Sequence, residues 1–414
     1  TAPPPASRGF GTIALIALLS AFIPLSTDLY LPALPTMAAT LRTTPALVNL
    51  TLVAFFVCYS LGTLFWGPMS DRYGRRPIMH IGLVMYVLAS VGCAVSEHVD
   101  HLIAFRALQA LGGGAATATA TAIVKDLYAG RRRESVLALV QTIAMLAPIV
   151  APVPGALLLQ FTSWRGVFVV LAAVGAGALL LSLPLRETLP ARFDGTVLQT
   201  LGRLGVVLRN PGFASLLVIF SLVSLPFLAY ISSSSYIYQD EFGVSKLQFG
   251  LFFMGNALSA LASPMLYLLL SRRVSRQSII TGCFAIMAAS GVLIITVGHL
   301  HPWAFMLVLI PATMAVGVMR PPGANLMLEQ QDTDTGSAVS LIGCFGLLFG
   351  CLGMLLISLF PGHYLTALGL FYIAGGLLCG LGWLAVKDRP FIRHLPDVHP
   401  DDVRAAELSA TAAE

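Results

Sequence analysis

The sequence predicts an all-α integral membrane fold, with twelve transmembrane helices in two pseudo-symmetric six-helix bundles. Three observations lead there. The 414 residues are 57% hydrophobic and only 10% charged, whereas soluble domains carry roughly 25% charged residues. The apolar residues gather in stretches near the length of about 20 residues that a helix needs to cross a ~30 Å hydrocarbon core. The basic residues fall almost entirely on alternate loops.

The predicted spans are 10–34, 46–68, 77–96, 101–125, 134–160, 164–185, 212–236, 246–270, 277–298, 302–327, 335–360 and 364–386. Prolines interrupt several of them, at Pro24, Pro148, Pro152, Pro154, Pro226 and Pro264; neighbouring helices in a membrane can re-satisfy the backbone groups that proline frees. Twenty Lys and Arg fall on one side of this arrangement: Arg8, the Arg72–Arg76 turn, Lys125 to Arg133, the segment after Arg186, Arg272 to Arg276, Arg320 and the residues from Lys387 onward. Only Arg42, Arg165 and Lys246 fall on the other. By the positive-inside rule both termini are expected in the cytoplasm. The net charge of +5 then reflects topology, and no nucleic-acid partner is expected. Thr1–Arg8 is too short for a signal peptide, so the first span is expected to act as its own insertion signal.

The polar segment from Arg186 to Asn210 divides the chain. Residues 1–185 are expected to form an N-terminal six-helix bundle, 186–211 a cytoplasmic linker, 212–386 a C-terminal six-helix bundle and 387–414 a mobile cytoplasmic tail. The two halves are faintly self-similar: Asp71-Arg72-Tyr73-Gly74-Arg75-Arg76 precedes Ser271-Arg272-Arg273-Val274-Ser275-Arg276 by 200 residues. Such internal repeats mark secondary transporters, with the site near the midplane between halves. The six cysteines all lie in apolar runs, form no CxxC pair and have no histidine at zinc spacing, so they read as small buried hydrophobes. No metal or cofactor is expected, nor is ATP drive, because no GxxxxGK[ST] loop is present.

Asp28 lies in the otherwise uncharged stretch from Phe10 to Leu34. An acid there is costly to keep ionised, by ~2.5–3.5 kcal/mol at mid-bilayer, and is therefore a candidate proton carrier. Counting ~1.5 Å per residue places Asp28 and Arg106, near the start of the fourth span, at similar depth in the outer half. Arg106 is expected to tune Asp28, directly or through water. Two alternatives stand beside this: Asp28 as an acid at the outer helix end exposed to the periplasm, and Arg106 as a structural arginine bonded to backbone carbonyls. A pocket for weakly polar drugs should be aromatic, with few polar anchors. The candidates are Tyr30, Phe55, Phe56, Tyr59, Tyr230, Tyr236, Phe253 and Asn256, with Tyr238, Phe252 and the run Ser232–Ser235 nearby. Arg320-Pro321-Pro322-Gly323 is expected to end the regular stretch of the tenth span, with Asn325 and Glu329 as structural residues beyond it.

In the turn after the second span, Gly67 would let two helices approach, Gly74 would allow a tight turn, and Arg75 could pair with a nearby acid. The whole run Gly67-Pro68-Met69-Ser70-Asp71-Arg72-Tyr73-Gly74-Arg75-Arg76-Pro77 resembles the loop signature of the major facilitator superfamily. Three further segments, Asp28-Leu29-Tyr30-Leu31-Pro32-Ala33-Leu34-Pro35, Arg106-Ala107-Leu108-Gln109-Ala110-Leu111-Gly112-Gly113 and Ala147-Pro148-Ile149-Val150-Ala151-Pro152-Val153-Pro154-Gly155, make the chain similar to the Bcr/CflA group of drug:proton antiporters. That resemblance implies export of bicyclomycin- or phenicol-type drugs against protons, by a monomer in the bacterial inner membrane. It also implies that Asp71 and Arg75 form a latch with Asp126 between the halves, with Arg72 and Arg76 beside it, closing the cytoplasmic side against a helix beginning near Asp334-Thr335-Gly336-Ser337. Pro148, Pro152, Pro154 and Gly155 would make the fifth span a pliable seal on the outer side. The glycine pattern is incomplete there, with Ala147 and Ala151 where related sequences often carry Gly. Carriage of a natural metabolite is the alternative function. An embedded enzyme is not expected, because the deep spans carry no paired Asp, Ser-His or His-Glu set.

Overall fold

A computed structural model describes residues 10–189, 197–331 and 334–393. The chain ends, with Arg8, Arg404 and most of the expected tail, lie outside the described residues, as does Arg192 of the linker.

The described residues are helical, without a strand. The first span is broken. Helix α1 (Phe10–Ser20) and α2 (Phe22–Asp28) meet at Ala21, a 3₁₀ turn follows at Leu31–Ala33, and α3 (Leu34–Thr40) continues beyond it; the two parts of the span bend by 42°. Pro24 in α2 and Pro32 and Pro35 beyond it each remove a backbone donor, which explains why the regular ladder fails along this stretch. The next spans are α4 (Pro45–Tyr73), α5 (Arg75–Ala94) and α6 (Val99–Leu127). The fifth span is also divided, into α7 (Gly130–Val150) and α8 (Pro152–Phe161), and α9 (Trp164–Ser182) is the sixth. The polar linker carries a helix of its own, α10 (Val197–Leu208).

In the second half, α11 (Pro211–Leu222), α12 (Ser224–Tyr236) and a wide π turn at Ile237–Glu241 form the seventh span. It is followed by α13 (Lys246–Leu270), α14 (Arg276–Thr296), α15 (Pro302–Leu328), α16 (Thr335–Ile357) and α17 (Tyr364–Val386). Helix α15 runs through Pro321 and Pro322 without stopping, which corrects the expectation that its regular stretch ends at Arg320–Gly323; the helix ends at Leu328, one residue past the expected span. Arg320 lies two turns inside the helix.

Within the first six spans α5 packs on α6 and α9, and α4 on α6; in the last six, α14 packs on α15 and α17, and α12 on α16. The main contacts between the two sets are α4 with α16, and α13 with α7 and α8; smaller ones join the turn at Leu31–Ala33 to α12 and α13, and α3 to α12. These interfaces are closed at the end far from the Gly67–Arg76 turn. There the Asn49 side chain donates to Ser358 Oγ at 3.1 Å, and Gln239 donates to the carbonyl of Pro32 at 3.1 Å. At the other end the halves part around a cavity of about 730 Å³.

The closed end gives a direct test. With the native cysteines replaced, Asn49→Cys and Ser358→Cys should be joined by a short bifunctional thiol reagent in the ligand-free protein, giving a band that migrates as an intramolecular cross-link. Failure to cross-link would contradict closure at this end.

Candidate functional site

Arg106 is 0% exposed, so its guanidinium needs partners from the protein itself. Its Nη1 donates to the Ser26 carbonyl at 3.0 Å and to Gln109 Oε1 at 2.6 Å. Its flat face lies over three rings, 4.2 Å from the centre of Phe55, 4.8 Å from Tyr30 and 5.7 Å from Phe168. Cation–π contacts of this kind are worth ~0.5–2 kcal/mol each. Nε and Nη2 have no hydrogen-bond partner among the described residues.

The polar chain continues outward from Arg106. Gln109 donates to Ser90 Oγ at 2.7 Å, and Ser90 donates to the Tyr86 carbonyl. The Tyr86 hydroxyl lies 2.6 Å from Ser26 Oγ, back on α2. One closed circuit therefore joins α2, α5 and α6, and it holds α2 just before the residue of interest.

That residue, Asp28, is 5% exposed, so the alternative of an acid open to solvent does not describe this conformation. Its side chain accepts from the hydroxyl of Thr27, which donates to Oδ1 at 3.1 Å. Asp28 and Arg106 form no ion pair. The contact from Arg106 to this segment goes to a backbone carbonyl, which is the structural alternative for that arginine. The fifth span presses on the same place. A Cβ on Gly155 would stand 2.1 Å from the Leu29 carbonyl oxygen, so only glycine allows α8 to lie this close to the chain beside Asp28. Pro148 lies within α7, and Pro152 and Pro154 in the first turn of α8. Across the halves, a Cβ on Gly250 of α13 would lie 3.2 Å from the Pro152 carbonyl oxygen.

The basic turn forms a second cluster. Gly74 ends α4 and starts α5 with φ +107°, a left-handed conformation that favours glycine. Arg75 pairs with Asp71, with Asp126 at 2.9 Å, and with Ser70 Oγ. All these partners belong to the first six spans, so the expected contact across the halves is not made. The reason is geometric. Asp71 and Gly67 line one wall of the open cavity, and Gly336 and Ser337 at the start of α16 line another. A Cβ on Gly67 would meet nothing within 4 Å, so Gly67 brings no helices together in this conformation. Arg72 lies over its neighbour Tyr73, and Arg76 donates to the Leu183 carbonyl. Asp334 precedes α16 without a side-chain capping bond and pairs with Arg203 of α10 at 3.4 Å.

Sequence reasoning missed Glu187 altogether. Its carboxylate accepts from the backbone N–H groups of Arg75 and Arg76, at 2.9 and 3.1 Å, and of Thr188 and Leu189. It thereby caps the N-terminus of α5, which Gly74 cannot do. Partial burial works against ionisation, but the four backbone donors outweigh it and hold this carboxyl below the ordinary glutamate value of 4.5.

Of the eight aromatic and amide candidates for a drug site, Tyr59 alone lines the open cavity, with its hydroxyl 3.3 Å from Thr117 Oγ1. Thr63, Thr117, Thr121, Ser340 and Cys344 line it as well; Thr117 and Thr121 had a legible signal, the four-residue spacing that places both on one helix face. Tyr30 and Phe55 are enclosed around Arg106, and Phe56 packs edge-on against Phe55. Tyr230 stacks on Phe253, and Tyr236 lies against Tyr364. The hydroxyls of Tyr230 and Tyr236 and the Asn256 carbonyl oxygen are buried without a hydrogen-bond partner. Phe305, whose ring meets Tyr230, Tyr238 and Phe242, had no signal in the sequence. Among the described residues no His, Cys, Asp and Glu cluster has metal-binding geometry.

Comparisons with known proteins agree with this architecture. The family profile described as Major Facilitator Superfamily matches residues 16–354. The bicyclomycin resistance protein homolog of Haemophilus influenzae is 29% identical over 80% of this chain and 84% of its own length. The chloramphenicol resistance protein of Pseudomonas aeruginosa is 29% identical, with 84% of each chain covered. The crystal structure of a bacterial homolog of the human lysosomal transporter Spinster, inward-facing and unoccupied, superposes with a TM-score of 0.71 at 16% identity, covering 94% of this chain and 100% of that one.

The Glu187 cap predicts a pH dependence. A carboxyl held below its unfolded value contributes stability that is fully present above about pH 4.5 and is lost as pH falls through the lower folded value. Glu187→Gln should lower the thermal unfolding midpoint in detergent at pH 7 and flatten its dependence between about pH 5 and about pH 3. Superimposable melting profiles for variant and parent would refute the cap. By this fold and this sequence profile, the chain belongs to the Major Facilitator Superfamily.

Proposed function

We propose that the protein is a proton-coupled antiporter that exports small drugs of the phenicol or bicyclomycin type across the bacterial inner membrane by alternating access. It works as a monomer with both termini in the cytoplasm. Relatives named for resistance to bicyclomycin and chloramphenicol support the substrate class. The observation that carries the coupling is Asp28, a buried acid in the broken first span with no cationic partner among the described residues.

A carboxyl in that position is costly to hold as a bare charge, and binding a proton removes the cost. Arg106 keeps the segment in place without neutralising the acid. In the conformation described, the cavity opens toward the basic turn, which the charge bias assigns to the cytoplasm. A drug enters there, between Tyr59, the threonines of α6 and the start of α16. As the halves rock, the far end opens, the drug leaves and Asp28 takes a proton from outside. The drug and the proton each favour transit of the loaded carrier, so exchange is coupled, and each proton supplies ~2.3 kcal/mol per 100 mV of membrane potential together with the pH difference. Asp71 and the start of α16 face each other across the cavity and would meet when the cytoplasmic end shuts, an acid against a helix N-terminus.

The test uses everted membrane vesicles with an imposed pH gradient and labelled chloramphenicol. Asp28→Asn should reduce gradient-driven accumulation to the level of empty vesicles, while expression and thermal stability stay at parental values. Undiminished accumulation by Asp28→Asn would remove the proton role from this residue.

A further inference from the structure

Arg320 is the second arginine within a span, and its surroundings are the opposite of those of Arg106. It is exposed, and its guanidinium lies 5.7 Å from the centre of the Phe227 ring on α12. It makes no ion pair and no hydrogen bond among the described residues. It stands eight residues before the end of α15 at Leu328, roughly 12 Å into the helix.

Arg320 stands away from the exposed stripe of α15. The outward stripe of α15 is marked by Trp303, Leu307 and Pro311, exposed at four-residue spacing. At about 100° per residue, Arg320 lies roughly 100–180° around the helix from those three. Thr313, two turns away, falls within about 20° of the Arg320 direction; it is buried, and its hydroxyl has no hydrogen-bond partner. This face of the helix turns to the seventh span, as Phe227 shows and as Gly323 confirms by packing against Phe220 of α11. A guanidinium with no ion pair or hydrogen bond among the described residues is therefore exposed on the face of α15 that turns to the seventh span, with an aromatic ring beside it.

We infer that Arg320, with the Phe227 ring, forms a subsite for organic anions, taking the carboxylate of an aromatic acid. A guanidinium presents parallel N–H donors that match a carboxylate in bidentate fashion, and the Phe227 face suits the ring that carries it. The subsite belongs to the carrier function proposed above and extends its substrate class from neutral drugs to anionic ones.

An isosteric pair of fluorescent probes tests this, 2-naphthoate against the neutral 2-naphthamide, titrated into the full-length protein in uncharged detergent at neutral pH. The parent should bind naphthoate about tenfold more tightly than naphthamide. Arg320→Gln should bring the two affinities together, and Arg320→Lys, which keeps the charge, should retain part of the difference. A parent without preference, or a preference unchanged in a monodisperse Arg320→Gln, would overturn the subsite. An Arg320-dependent effect seen with added phosphatidylglycerol but not with naphthoate would assign the arginine to a lipid headgroup and equally overturn it. Chloramphenicol flux by the parent in vesicles is measured separately, so failure of the export reading registers there and leaves the naphthoate ratio to judge Arg320.

Discussion

A fully buried guanidinium on α6 organises the first half of the molecule. A charged group within a span costs ~2.5–3.5 kcal/mol on insertion scales unless the protein itself solvates it. Arg106 is solvated by one carbonyl, one amide and three aromatic faces, from α2, α4, α6, α9 and the turn at Tyr30. Each partner is thereby fixed in place. The break in the first span lies beside it: Pro24, Pro32 and Pro35 each lack the backbone N–H that a regular ladder needs, and the Ser26 carbonyl accepts from Arg106. Asp28, two residues later, inherits a defined position without a salt bridge.

The two halves repeat these devices with altered chemistry. Arg75 at the start of α5 meets Asp126 at the end of α6, and Arg276 at the start of α14 meets Glu329 at the end of α15 at 2.6 Å. A Cβ on Gly155 would strike the Leu29 carbonyl of the first span, and one on Gly353 would strike the Leu225 carbonyl of the seventh, at 2.0 Å. Asp28 has no acidic counterpart near Leu225, where the chain reads Val223-Ser224-Leu225-Pro226. The scaffold is therefore repeated, while the titratable acid in this position belongs to one half.

The fold was legible because its signals are long-range and redundant: apolar stretches of bilayer length, alternating basic loops and a repeated turn. The broken first and fifth spans were legible only as prolines, since the bend depends on which neighbours take the freed carbonyls. Asp28 and Arg106 stood out because charge within a span is rare, but their relation did not follow from depth. Both lie in the same layer, yet the guanidinium reaches Ser26 and Gln109 instead of the acid. Gln109, three residues after Arg106, was visible as a helical neighbour. Glu187 was hidden because a capping carboxylate 112 residues away in sequence leaves no local pattern. The cavity wall was not legible for a related reason: aromatic rings suited to a ligand serve equally well to enclose an arginine, and only the packed structure separates the two uses. Arg320 was read as the end of the regular helix because consecutive prolines read as a stop, whereas α15 continues past them.

The most direct measurement of the exchange is proton release on ligand binding, followed with a pH indicator as chloramphenicol is added to the purified protein in weakly buffered detergent at neutral pH. If drug and proton compete through the acid of the first span, the parent releases protons in step with saturation, and the protein with asparagine at that position binds the drug without release. Equal release from both proteins would contradict the account.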